Sequence, residues 1–265
     1  MSMDSNFILI VGPPNSGKLR ISKLIQGIKD DKISETREHN STDSHSGLIH
    51  KTKITTKYYT SNVDIFIDEI PSKRTPIFSE DDKINALKKW CNEFFSPEME
   101  SLVESLDGII FTINIKDDSL EYADELLNVV HRVKTLSNED NLLAVVATTP
   151  KGSNGWDKRY FDEIEDIFIE HGFEFIDFDK QGKNEYKESQ GKDRIVELIE
   201  CHEWRYMELI KKTNSEETEN EVKEEKSLDE LLVKLNEAKE HAKHLSPAEK
   251  DKYANEVIKD IEAYI

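Results

Sequence analysis

Cysteine is nearly absent from this chain, with only Cys91 and Cys201 among 265 residues. Neither shows CxxC or Cys/His spacing, which argues against a disulfide scaffold or structural zinc site and fits a reducing cytosol. Positive charge is also short: 55 acidic side chains face 36 basic ones, a formal charge of -19. Such a surface repels phosphate backbones, so nucleic acid and anionic membranes are poor partners. Long apolar runs are missing too. No stretch approaches the ~18 residues of a membrane span. Phe7 to Val11 is too short for a secretory leader and lacks basic flanks. The expectation is a cytoplasmic protein with no direct membrane insertion. The eight histidines form no H-x-x-x-H pair, and no Ser–His–Asp set or nucleophile elbow is legible. No catalytic and no metal-ligating residue is therefore assigned.

What is present is a core of ordinary kind beside segments too polar to fold alone. Hydrophobic residues make up 36% and charged residues 34%, the latter above the usual value of about 25%. Phe7–Val11, Val63–Asp68, Gly108–Ile113, Leu142–Ala147 and Phe173–Phe178 read as strands. The Thr/Tyr-rich stretch Lys51–Tyr59 is β-prone and lies close enough to pair with the strand after it. Helical spacing marks Ile21, Leu24, Ile25 and Ile28, then Asp81–Leu106 with a break at Ser96-Pro97. It recurs in Leu120 to Val133, Trp156–His171 and Arg194–Trp204. Trp90, Phe94 and Phe95 read as core rather than a ligand cage. Strands alternating with helices predict an α/β fold, a mostly parallel six-stranded sheet covered on both faces.

The composition changes after residue 212. Ser215–Glu221 contains no apolar residue, and 213–226 reads as a solvated acidic linker. Beyond it, 227–265 carries two amphipathic stripes. One contains Leu228, Leu231, Leu232 and Leu235, the other Val257, Ile258 and Ile261. Between them, Ser246-Pro247-Ala248-Glu249 is a helix start, with a Ser cap, Pro at the first position and Glu at the third. The organisation is thus a body, 1–212, a linker and a C-terminal helical hairpin. Two short helices are marginal alone in water. These stripes call for a partner groove or for self-association.

The strongest motif is Gly12-Pro13-Pro14-Asn15-Ser16-Gly17-Lys18, between the first strand and the first helix. Its G-x-x-x-x-G-K spacing is that of the phosphate loop, in which backbone N–H groups and a lysine cradle an anion. Gly12, Asn15, Ser16, Gly17 and Lys18 are the candidate phosphate-binding residues. The rest of a nucleotide machine is missing. Leu19 stands where a hydroxyl would hold Mg²⁺. Asp68 is a candidate acidic metal partner, but Pro71, three residues on, has no N–H to offer a γ-phosphate. Ala147-Thr148-Thr149-Pro150 replaces the base-reading N-K-x-D, and Asp177-Phe178-Asp179-Lys180 is unlike S-A-K. Two readings of the loop stay open: a strand-to-helix turn in which Lys18 caps local carbonyls, or weak phosphate or nucleotide binding. Hydrolysis is not expected.

A degenerate phosphate loop, an acidic linker and a terminal hairpin together resemble the alpha- and gamma-adaptin-binding protein family. Three stretches carry the resemblance: Phe7–Lys18, Trp90–Glu98 leading into Leu106–Ile110, and the tail Leu228–Ile265. The resemblance implies a small-GTPase-like, Rab-like domain that is no switch, a pseudo-GTPase needing no cofactor. It also implies binding to large and small subunits of clathrin adaptor complexes, aiding their assembly in vesicle traffic. The near-complete G-x-x-x-x-G-K leaves GTP binding open without turnover. The competing class is a P-loop enzyme, a GTPase or nucleotide kinase. A chromosome-maintenance label also attaches to the family, and this acidic sequence offers no physical route to DNA.

Overall fold

Strand β1, Asn6–Gly12, is buried along almost its whole length. Its apolar run leaves no alternative, because a strand apolar on both faces must lie inside a doubly covered sheet. In the computed structural model, which describes residues 5–27, 44–72, 79–136, 140–149, 158–210 and 253, it does. β1 runs parallel to β3 (Tyr59–Glu69) on one side and β4 (Gly108–Asn114) on the other. β5 (Leu142–Thr148) and β6 (Glu174–Asp177) extend the parallel sheet, and β2 (Leu48–Thr55) closes the opposite edge antiparallel to β3. The order is β2-β3-β1-β4-β5-β6, and the mostly parallel α/β sheet is the one expected from sequence.

One strand was not expected. β7, Glu208–Leu209, pairs antiparallel with β3 at Tyr59 and Thr60, making seven strands among the described residues rather than six. Two residues give no periodicity from which to predict it.

Helices cover both faces. α1 (Lys18–Ile25) and α6 (Gly191–Cys201) bury Ile21, Ile195 and Ile199 against Ile8, Ile10, Ile65 and Ile67. On the other face, α2 (Glu80–Phe94), α4 (Leu120–Leu136) and α5 (Lys158–Ile169) set Leu87, Leu126, Val130 and Phe168 against Leu9, Val11 and Phe111. Ser79 caps α2 through a reciprocal box with Asp82. The break at Ser96-Pro97 is real: a 3₁₀ turn, Pro97–Met99, leads into a short α3 (Glu100–Ser105). α6 starts and ends three residues earlier than its sequence pattern suggests. Trp204 leaves the helix to fill the core, 2% exposed.

The chain divides into two compact units, Met1–Ile210 and Lys211–Ile265. The linker 213–226 and the stripe residues Leu228, Leu231, Leu232, Leu235, Val257, Ile258 and Ile261 lie outside the described residues. Among the described residues no helix is long and apolar enough to cross a membrane, and no cluster of His, Cys, Asp or Glu could hold a metal ion.

Candidate functional site: a phosphate loop and its contacts

The loop leaves β1 at Gly12 and enters α1 at Lys18. Gly12 is pressed against β4, where a Cβ would overlap the hydroxyl and carbonyl of Thr112. Gly17 has φ 81°, a left-handed conformation that glycine adopts without strain. Ser16 Oγ donates to Pro13 O at 2.7 Å and lies in hydrogen-bond contact with Thr112 Oγ1. Asn114 Nδ2 donates to Asn15 O at 3.3 Å. The loop is therefore riveted to β4, and the sequence candidates Gly12, Asn15, Ser16, Gly17 and Lys18 share one turn.

Lys18 does not reach outward. Its side chain is 3% exposed and Nζ donates to Gly12 O at 3.0 Å and to Pro13 O. The same Nζ stands 3.2 Å from Oε2 of Glu69, whose side chain is fully buried. His45 Nδ1 approaches that oxygen to 3.4 Å. Glu69 is the residue that sequence reasoning missed. Asp68, the candidate named instead, faces the opposite side of the sheet. It accepts from Trp90 Nε1 at 2.8 Å and Ser46 Oγ at 2.6 Å. The signal was present in β3: strand alternation puts Glu69 on the face of Ile65 and Ile67, toward α1, and Asp68 on the face of Phe66.

Further along the strand ends, α1 meets the loops after β5 and β6. The Arg20 guanidinium lies 4.4 Å over the Phe178 ring. Its Nη2 donates to Asp179 Oδ1 at 2.5 Å, while Nη1 is 3.4 Å from both Asp179 Oδ2 and Thr149 O. Thr149 N donates to Asp179 Oδ2 at 3.1 Å. The Thr148 side chain presses against Gly17, and its buried Oγ1 has no hydrogen-bond partner among the described residues. In open α/β sheets a ligand binds in this crevice outside the carboxyl ends of the strands. Here protein side chains meet across it.

On the loop after β4, Asp118 accepts from Asn114 N at 2.7 Å and from Lys83 Nζ at 3.1 Å. Burial pushes its carboxyl up to about 6, against the opposing pull of Lys83. Burial likewise pushes the Tyr160 phenol, which bonds the Asp118 carbonyl, up to about 12.

A second polar cluster closes the other end of the sheet. Asn6 Nδ2 donates to Ser61 Oγ and to Tyr206 O, both at 2.7 Å, and Tyr206 N returns a 2.9 Å bond to Asn6 Oδ1. Trp204 Nε1 donates to Tyr59 Oη at 3.1 Å and Ile199 O at 3.2 Å. Arg205 pairs with Asp107 at 3.3 Å. These contacts hold the segment that leads out of the first unit.

Residues 188–260 match the family described as alpha and gamma adaptin binding protein p34. That span starts just before α6 and includes Leu228, Leu231, Leu232, Leu235, Val257 and Ile258, with Ile261 one position beyond. Increased recombination centers protein 6 of Candida tropicalis is 44% identical over 281 residues, covering 99% of this chain and 100% of the relative. The Candida dubliniensis protein of the same name is 42% identical, covering 98% of each. The crystal structure of yeast Irc6p, described as a novel type of conserved clathrin accessory protein, is 21% identical. It covers 80% of this chain and 99% of that one, with a TM-score of 0.49. End-to-end identity at 44% places the chain in a known group: it belongs to the increased recombination centers protein 6 family, and its C-terminal region carries the alpha and gamma adaptin binding protein p34 match.

Proposed function

We propose that this protein is a non-catalytic accessory factor of clathrin adaptors in the cytoplasm. It binds large and small adaptin subunits and assists their assembly in vesicle traffic. The observation that carries this reading is the family match over 188–260, which spans α6, the acidic linker and most of both apolar stripes. The binding residues are Leu228, Leu231, Leu232, Leu235, Val257, Ile258 and Ile261. The body acts as a pseudo-GTPase scaffold and uses no cofactor. Leu19 offers no oxygen to Mg²⁺, and the charge of Lys18 is engaged by Glu69, so phosphoryl transfer lacks two of its electrostatic parts.

The test is capture of adaptins from cytosol by the full chain and by Leu231→Asp/Leu235→Asp. Each buried leucine is worth roughly 1.5–3 kcal/mol, so two carboxylates in the stripe abolish capture or self-association while the first unit's unfolding barely moves. Normal capture by the double variant refutes this interface. The complete G-x-x-x-x-G-K register favours a second reading, a P-loop enzyme. GTP or ATP hydrolysis that vanishes in Lys18→Ala would establish it.

A further inference from the structure

We propose that the phosphate loop is ligated by the chain itself: Glu69 occupies the role of a phosphate against Lys18, and Arg20 occupies the role of a base between Phe178 and Asp179. This rests on the non-catalytic reading of the body and supplies its physical cause.

At the phosphate end, a loop of this shape gathers positive potential from backbone N–H groups, a helix N-terminus and a lysine. A cation as buried as Lys18 needs a counter-charge. In a nucleotide-binding protein the phosphates provide it. Here the Glu69 carboxylate stands 3.2 Å from Nζ with no solvent exposure, and the strand that carries it is tied to the loop. Ile70 N donates to Gly12 O at 3.0 Å. An arriving phosphate would meet a carboxylate already in place, like charge against like in a poorly screened site.

At the base end, the chemistry that reads a purine is a ring face, a carboxylate and a backbone carbonyl. Those groups are Phe178, Asp179 and Thr149, and all three touch one guanidinium. Arg20 is planar and delocalised and presents paired N–H donors to a carboxylate, as the N1/N2 edge of guanine does. Phe178 has no exposed face left on which a base could stack. Between the two ends, Thr148 fills the space against Gly17. Binding energy that a nucleotide would add from outside is thus replaced by internal contacts, and the fold stands without a ligand.

The experiment is thermal unfolding of the full-length chain with and without millimolar pyrophosphate or GTP–Mg²⁺. The wild type shows no shift. Glu69→Gln leaves Lys18 without its anion, so its Tm falls, and pyrophosphate raises it again by about 2–4 °C at several times Kd. Glu69→Asp withdraws the carboxylate by one methylene and keeps the charge. It gives a smaller shift of the same sign, and it carries the test if Glu69→Gln does not fold. Adding Lys18→Met to either variant abolishes the response, and adding Arg20→Ala makes GTP more effective than pyrophosphate. A wild-type shift as large as the variants', or no shift in any Glu69 variant, overturns the proposal. Wild-type GTP turnover would instead sink the non-catalytic reading, and failed adaptin capture would sink the partner assignment alone.

Discussion

At the carboxyl ends of the strands, Lys18, Glu69, Arg20 and Asp179 close the crevice with charges. At the amino ends, the amide of Asn6 and the hydroxyls of Ser61 and Tyr59 receive the chain's own Tyr206 and Trp204. The two closures have different energetics. A buried ion pair such as Lys18–Glu69 gives back in attraction roughly what it costs in desolvation, so it sets geometry more than stability, and the partly exposed Arg20–Asp179 pair adds little more. Neutral hydrogen bonds around a buried indole are cheaper to desolvate and come with a large apolar area. The charged end keeps the layout of a ligand site. The neutral end is built for the chain's own exit, and its Trp204 and Tyr206 lie within the span matched to the adaptin-binding family.

The largest expected effect tests the neutral end. Trp204→Ala removes a side chain 2% exposed and two hydrogen bonds from its indole N–H. Denaturant unfolding will show a loss of about 3–5 kcal/mol.

A pH-dependent effect belongs to the charged end. The folded-state value of Asp118, about 6, lies above the ordinary 3.8, so the folded protein holds this proton more tightly than the unfolded chain does. Its contribution is fully present below pH 4 and is lost as pH rises through 6. The difference is about 3 kcal/mol, from roughly two pH units at 1.36 kcal/mol each. The stability of wild type relative to Asp118→Asn will therefore decline between pH 4 and pH 6. A flat difference would mean the carboxylate is solvated.

Asn6→Ala strands the Tyr206 N–H and leaves Ser61 Oγ and Tyr206 O without one donor. It costs about 1–3 kcal/mol, read by the same unfolding curves. If this loss matched or exceeded that of Trp204→Ala, the indole would not be the anchor of the neutral end. The smallest effect is at Leu19. Leu19→Ser returns a hydroxyl beside Lys18 yet produces no GTP hydrolysis above background, because Glu69 still holds the lysine and Arg20 still fills the far end. A measurable rate would remove the distinction between the two ends.

The central strands were legible because Ile8–Val11 and Ile109–Ile113 are apolar on both faces, and no other setting tolerates that. α4 was legible from Leu126, Val130 and Val133. The phosphate loop's register could be read, but its occupants could not. Glu69 hid behind Asp68, an equally plausible carboxylate, and only the strict alternation of β3 separates them. Arg20, Phe178 and Asp179 meet across 159 positions of sequence, and no local pattern announces such a meeting. Asn6 lies just before the strand read at Phe7–Val11 and drew no reading, because its partners, Ser61 and Tyr206, are equally remote. The stripes from Leu228 to Ile261 were legible as periodicity, and the family match covers all but the last of those residues.

The bond between Asn6 and Tyr206 spans 200 positions, and a ribosome delivers those positions in order. At roughly 5–20 residues per second, about 10–40 s pass between synthesis of the two partners. Once β3 is made, Asn6 can meet Ser61 but still lacks Tyr206, and Tyr59 waits for Trp204. The body can lock only when its last few residues emerge, just before the acidic segment. The apolar stripes of the tail are therefore translated after everything needed to complete the body, so the nascent chain has a finished domain ahead of its stickiest surface.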